Sequence, residues 1–357
     1  MIKKLVRDFL MLFGLLVLWA STSRQAMQYY CDVRDVDTWW GTYRCNHGDL
    51  VSMAYLDFMK KFNPGKDITP TRRPTVAAKN QIELYLDGDS YTWHMHDTMF
   101  AGLTGLHYID RNHGLNYHLD STKNNVFIIE LSERFVSDYF STLKMLDEVC
   151  DSVVQKKKIA RVHDFLQPEN LIPVYSASLI PNIGLDDFFN RYINQNLQCN
   201  LFNYQAVVPL FQSKAVINYY VFNRASGDVV ISNDRQFLFL RETVSKTDLG
   251  SSYLPLSHDD IEKLVYNLNE LYDHYKKTGF KEVYISLIPN SATIMQPEGY
   301  NNLIPLIQNH PRLRMKVINV FDVFKQSNEI LYLPGDTHWN LKGRQKWLDI
   351  VNGVLQQ

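Results

Sequence analysis

Ile82-Glu83-Leu84-Tyr85-Leu86-Asp87-Gly88-Asp89-Ser90-Tyr91 is the stretch on which the fold reading turns. Its first half, Ile82 to Leu86, has the length of a buried strand, and the Asp-Gly-Asp-Ser behind it reads as a tight turn. Three further runs read the same way: Val126–Leu131 (VFIIEL), Lys281–Ile288 (KEVYISLI, ended by Pro289-Asn290) and Lys316–Phe321. Helical patterns lie between and around them, over Ser52–Phe62 and Tyr139–Lys156. A third helix starts at Asp259 behind an N-cap at Ser257 and carries Leu264, Leu268, Leu271, Tyr272 and Tyr275 at helical spacing until Gly279. That leucine stripe reads as core rather than as a partner groove. A final amphipathic helix spans Leu341–Val354. Strands alternating with helices predict an α/β fold, a parallel sheet with helices on both faces.

The spacing also predicts an organisation. Residues 1–23 form a signal peptide or membrane anchor, 24–79 an N-terminal helical and linker segment with a Pro/Gly/Thr-rich loop over 63–74, 80–164 the first part of the α/β core, and 251–357 its second part. Between the two parts, 165–250 reads as a β-rich insertion. Its strands are Ala215–Phe222 and Gln236–Leu240, with Ser226-Gly227-Asp228 as the turn.

The N-terminus carries the clearest address. Lys3, Lys4 and Arg7 precede an apolar run from Phe9 to Ala20, and Ser21, Thr22 and Ser23 follow. A basic start, an apolar stretch and small residues describe secretion or anchoring. A cleaved signal and an uncleaved anchor both fit, as does a buried N-terminal helix. Basic residues before the run place the body of the protein across the membrane, in a periplasmic or cell-surface setting. Four cysteines then sit where disulfides are permitted; Cys31 and Cys45 suit a small loop, Cys150 ends a helical stretch, Cys199 lies in a polar segment, and free thiols fit equally. A formal net charge of -1 and the lack of an arginine-rich arm argue against nucleic acid. Aromatic residues are 13% of the chain, compatible with a core and with stacking on sugar faces.

Two short motifs carry chemistry. Gly88-Asp89-Ser90 offers a serine at the end of a strand, and Gly335-Asp336-Thr337-His338-Trp339-Asn340 offers a histidine and an aspartate before the last helix. A serine hydroxyl is a poor nucleophile until a base takes its proton, and the base needs an orienting carboxylate. Reactive groups in parallel sheets collect at the carboxyl ends of strands, where Ser90 would sit. A helix starting at Ser90 would aim its first N–H groups at an oxyanion. His338 is then the base for Ser90 and Asp336 its partner, with Trp339 and Asn340 packing and capping the loop.

This arrangement resembles the SGNH (GDSL-like) hydrolase superfamily. The Asp336-Thr337-His338-Trp339 run is similar to the Asp-x-His-Trp motif of its bacterial cell-surface branch, the alginate O-acetylation proteins and DHHW-type proteins. Glu130-Leu131-Ser132-Glu133-Arg134 after a buried strand and Ile288-Pro289-Asn290 resemble further elements of that branch, and the resemblance covers residues 80–160 and 255–355. It implies a three-layer flavodoxin-like sheet, Ser90 as nucleophile, His338 as base, Asp336 as its partner, and work on acyl esters of surface polysaccharide. An acetyl group, and a membrane-bound acyltransferase as partner and donor, are likewise implied. The order departs from the alginate proteins, since the serine motif here precedes the Asp-x-His motif. The superfamily's glycine and asparagine oxyanion donors are not visible as clean motifs. Gly102, Gly105 and Gly114 compete for the first, and Asn116, Asn290 and Glu130 for the second. Gly88, Asp89, Arg134 and Trp339 complete the expected oxyanion and substrate residues, and the Ser90 backbone N–H is the donor least dependent on the resemblance.

Structural roles stand beside these. Ser90 fits a helix cap, and Asp336 with Asn340 a cap of the last helix. Glu133 and Arg134 fit a buried ion pair or a helix start. His94, His96, His107, His113 and His118 lie close in sequence, but their carboxylate partners are scattered, and His94 and His96 on a helix would face different sides. No metal and no cofactor are therefore expected. Two functions remain: an extracytoplasmic serine O-acetylesterase or O-acetyltransferase working through an acyl-serine, and a catalytically inactive carbohydrate-binding or scaffold component of a polysaccharide modification machine.

Overall fold

The computed structural model describes residues 2–22, 48–59, 81–110, 115–116, 119–120, 122–140, 149–150, 197, 201, 206–226 and 228–357. They fall into two compact units. The smaller holds the N-terminal helix Ile2–Thr22, residues 55–58 and the helix Val208–Phe222. Within it Tyr55 stacks on Phe211 at 5.0 Å, and Phe58 meets Tyr219 and Tyr220 at 5.0 and 5.5 Å. The N-terminal helix has a mean hydropathy of 1.6, high enough to cross a membrane. Its 21 residues span about 30 Å, the thickness of a bilayer's hydrocarbon core. Arg7 and Asp8, which interrupt the apolar run, pair with each other at 2.8 Å on the helix surface.

The larger unit is α/β. Its strands in chain order are β1 (Ile82–Gly88), β2 (Leu103–Asp110), β3 (Leu115–Asn116), β4 (Asn124–Ser132), β5 (Val149–Cys150), β6 (Val229–Ile231), β7 (Leu238–Leu240), β8 (Glu282–Ile288) and β9 (Lys316–Val317). Five of them form one sheet in the order β2-β1-β4-β8-β9, every neighbouring pair parallel. Counted within that sheet alone, the order is 2-1-3-4-5, that of flavodoxin-like doubly wound sheets, and it reverses between β1 and β4. β3 pairs with β5, and β6 with β7, as separate two-stranded sheets.

Alternate strand residues face opposite sides, so each continuous apolar run supplies two cores. Tyr85, Phe127, Ile129, Ile285 and Leu287 pack with Leu264, Leu268, Leu271 and Tyr275 of the helix His258–Thr278. Leu84, Leu86, Val126 and Ile128 pack with Trp347, Leu348 and Val351 of the helix Leu341–Leu355. Both helices have defined starts. Ser257 and Asp260 form a reciprocal capping box, and Asn340 accepts from the amides of Lys342 and Gly343 at 2.9 and 3.0 Å.

Several expected elements differ. β2 was not anticipated, because Gly105 and His107 dilute its apolar run; both meet Glu83, and His107 Nε2 lies 2.8 Å from that carboxylate. The expected strand Ala215–Phe222 is instead the second half of the helix Val208–Phe222. Pro209 suits a first helical turn, and Asn223 closes the helix with φ 47°. The hairpin of the insertion is β6 and β7, joined around Ser232 rather than across Ser226-Gly227-Asp228. Cys150 lies in a strand, not at a helix end. The helix expected over 52–62 is the shorter Asp49–Ala54, followed by a single turn at Asp57–Met59. β9 ends at Val317, and Phe321 already starts a helix. The 63–74 loop, Gly114 and the three other cysteines lie outside the described residues.

Candidate active site

β1 ends at the reversal point of the sheet, and Ser90 is exposed just beyond it. The turn at 90–94 is not a regular helix, so no helix begins at Ser90. Its shape is set by buried acceptors. Glu130, on β4, accepts the Asp89 amide at 3.0 Å and the Thr92 hydroxyl at 2.9 Å. The Asp89 carboxylate accepts the Tyr91 amide at 2.9 Å and the Ser132 amide at 3.0 Å, so it ties the turn to the end of β4. Gly88 permits the close return of the chain: a Cβ there would lie 1.9 Å from Thr92 Oγ1.

The second motif forms the tip of a hairpin whose legs touch at Tyr332 and Trp339. The Leu333 amide donates to the His338 carbonyl at 3.1 Å, and the Asn340 amide to the Leu331 carbonyl at 2.8 Å. At the tip, Asp336 Oδ1 accepts the His338 amide at 2.9 Å and lies 2.6 Å from His338 Nδ1. That carboxylate assigns the ring proton to Nδ1 and leaves Nε2 as an acceptor. Nε2 is 2.8 Å from Ser90 Oγ. The structure thus brings Ser90, His338 and Asp336 together across 248 positions of sequence.

Neighbours fix this row. The Tyr91 hydroxyl donates to the Thr337 carbonyl at 2.6 Å, and its ring lies 4.9 Å from the imidazole. The helix Asp49–Ala54 approaches from the far side, where the Asp49 amide donates to Asp336 Oδ2 at 3.1 Å. Burial pushes the Asp336 carboxyl up, but its hydrogen bond to His338 and that ring's charge prevail, and it lies below the ordinary carboxylate range. Burial lowers His338, but the Asp336 hydrogen bond and charge, with Asp49 and Asp89, raise it above the usual imidazole value. Burial and the Asp336 charge raise the Asp49 carboxyl.

The other expected site residues have different work. Glu130 is an acceptor under the serine turn, not an oxyanion donor. Asn290 spends its side-chain amide on the Gly250 carbonyl at 3.3 Å and Ser252 Oγ at 3.0 Å. Trp339 is core: it is 6% exposed and packs on Tyr91, Phe324 and Trp347. Arg134 stacks on Phe135 and lies 3.9 Å from Glu242, while Glu133 opens a helix and binds the Asn290 amide at 2.9 Å, so the two do not pair. Asn340, but not Asp336, caps the last helix. Gly102, with φ 77°, precedes β2, and Gly105 lies within it opposite Glu83, toward the start of β1 and away from the end that carries Ser90; Asn116 is described only as part of β3.

Of the histidines, His107 serves Glu83 and His94 lies against Trp93 at 4.0 Å. His113 and His118 are outside the described residues. Among the described residues, Asp49, Asp336 and His338 lie close enough to share a cation. Both imidazole nitrogens are already engaged, Nδ1 with Asp336 and Nε2 with Ser90, so the ring has no lone pair to give a metal without breaking the row.

Sequence reading did not find Asp49 or Tyr91. The signal for Asp49 was a short Gly48-Asp49 pair of the kind that also occurs at 88–89, 227–228 and 335–336. Comparison of the chain with known protein families, curated proteins and solved structures finds no match.

Proposed function

We propose that this chain is an extracytoplasmic SGNH-type serine enzyme that acts on acyl esters of cell-surface polysaccharide, as an O-acetylesterase or O-acetyltransferase. The observation that carries the reading is the row from exposed Ser90 Oγ to His338 Nε2 at 2.8 Å and from His338 Nδ1 to Asp336 Oδ1 at 2.6 Å. Its position at the reversal point of a doubly wound parallel sheet is where such folds bind ligands.

In this reading Ser90 Oγ attacks the ester carbonyl while its proton passes to His338 Nε2. The Asp336 carboxylate, hydrogen-bonded to Nδ1–H, stabilises the imidazolium without taking the proton. The carbonyl oxygen becomes an oxyanion, for which the Ser90 backbone N–H is the proposed donor. The tetrahedral centre collapses, the bond from the acyl carbon to the leaving group breaks (the sugar oxygen in an esterase, the acyl donor's atom in a transferase), and that leaving atom takes the proton from His338. Water or a sugar hydroxyl then gives His338 its proton and attacks the acyl-serine; the bond from the acyl carbon to Ser90 Oγ breaks, His338 returns the proton to that oxygen, and the acid or the transferred ester is released. The membrane-length N-terminal helix with its leading Lys3 and Lys4 supports anchoring with the site outside the cytoplasm, where a membrane acyltransferase is the proposed donor.

The test is hydrolysis of p-nitrophenyl acetate by the wild type and Ser90→Ala. The expected loss is on the order of 10³-fold or more, with an acetylated Ser90 peptide seen by mass spectrometry in the wild type alone. Equal rates and no acyl peptide would replace this reading with that of a carbohydrate-binding or scaffold protein.

A further inference from the structure

We propose that Asp49 is a positioning residue that clamps the Asp336–His338 hairpin tip in its working geometry, so that the site of Ser90, His338 and Asp336 has a fourth member, itself carboxyl-bearing, from the N-terminal part of the chain. This rests on the serine acyl reading above and deepens it.

The clamp works in both directions. The Asp49 backbone amide donates to Asp336 Oδ2 at 3.1 Å. In return, the Asp49 carboxylate accepts the Thr337 amide at 2.9 Å and the Thr337 hydroxyl. The residue between Asp336 and His338 is thereby held by main chain and side chain. A third bond, from the Leu50 amide to Asp49 Oδ1 at 2.7 Å, fixes the carboxylate itself. The Val51 amide also donates to the Gly335 carbonyl at 3.0 Å.

Glycine allows the two segments to meet. Gly48 has φ +116°, and a Cβ there would lie 2.5 Å from the Gly335 carbonyl oxygen. A Cβ on Gly335 would lie 2.2 Å from Val51 Cγ2. Segment 48–54 therefore approaches the hairpin at backbone distance, and Asp49 is the side chain placed at the crossing.

The clamp is also electrostatic. The charged groups around His338 are Asp336 and Asp49 on one side and Asp89 from the serine turn, with the Tyr91 phenol across the ring. All three carboxylates favour the imidazolium that forms when Ser90 gives up its proton. Asp336 can hold the Nδ1–H bond only in one orientation, because its other oxygen is engaged by Asp49. Without Asp49, the tip has the same residues but loses both the lock on Thr337 and one of the charges.

The experiment compares Asp49→Asn and Asp49→Ala with the wild type in the full chain. Asp49→Asn keeps the shape and the backbone donor and removes the charge; Asp49→Ala removes both carboxylate functions. The ester assay is run as a function of pH, and the His338 imidazole is titrated by NMR. Asp49→Ala is expected to lower kcat on the order of 10- to 100-fold with KM within about twofold, as for a misplaced catalytic group. In both variants the acid limb of kcat/KM and the His338 titration midpoint move to lower pH. An unmoved His338 midpoint in Asp49→Asn, with the fold intact by near-UV circular dichroism, overturns the proposal, whatever Asp49→Ala does. A moved midpoint with no ester hydrolysis even by the wild type supports the hold of Asp49 on His338 and sinks the serine acyl reading alone.

Discussion

His338 is the residue whose chemistry depends most on its surroundings. Its pKa lies above the usual imidazole value of 6.5. In the proposed mechanism the base form that accepts the Ser90 proton is then present above that raised pKa and is lost as pH falls through it. We therefore expect kcat/KM for ester hydrolysis to fall on the acid side with a midpoint above 6.5. Asp336→Asn removes the dominant partner of Nδ1, so the midpoint should drop, and the rate should fall on the order of 10³- to 10⁴-fold through the wrong tautomer. A pH–rate profile of the two proteins checks both statements; a midpoint that does not move would detach Asp336 from the base. Ser90, His338 and Asp336 were legible because each sits in a short polar motif beside glycine, bounded by apolar runs. Asp49 was not, because its Gly-Asp pair is no different in sequence from the one at 227–228; only the crossing with Gly335 distinguishes it.

At the scale of elements, the site rests on strand ends and helix caps that differ in their stability roles. Glu133 opens the helix after β4, is 1% exposed, and its carboxyl is raised by burial despite bonds from Thr293 and the Asn290 amide. A raised carboxyl favours its protonated form in the folded state, so its ionisation costs stability as pH rises through the folded pKa. Glu133→Gln mimics the protonated form. It should raise Tm relative to the wild type at neutral pH, and the advantage should shrink as pH falls below the folded pKa and vanish at the ordinary glutamate value of 4.5. Thermal unfolding at several pH values reads this directly. Ser257→Ala removes the capping box of the helix His258–Thr278 far from the site in sequence. It should cost about 1 kcal/mol of stability with ester hydrolysis unchanged. Ser257 and Gly279 were readable as the two ends of that helix because capping is local chemistry. β2 and the helix Val208–Phe222 were not, because Gly105 and His107 blur one pattern, and the apolar residues of Val208–Phe222 do not gather on one helical face.

For the whole molecule, the N-terminal helix is long and apolar enough to anchor the chain in a membrane. We expect the full chain to fractionate with membranes and a chain lacking residues 1–22 to be released. Intact-mass measurement of the mature protein should show residues 1–22 retained; a mass that starts near Ser23 would make the helix a cleaved signal. The sequence by itself determined the α/β class, the two long helices with their caps, and the two polar motifs. Those follow from periodicity, capping and turn chemistry, which act over a few residues. The tertiary structure alone decided the strand order β2-β1-β4-β8-β9, the exclusion of Trp339 and Asn290 from the candidate site, and the docking of Gly48-Asp49 on Gly335-Asp336. These depend on contacts between segments from tens to hundreds of positions apart, where burial, close packing and competing hydrogen-bond partners choose among residues that look alike along the chain.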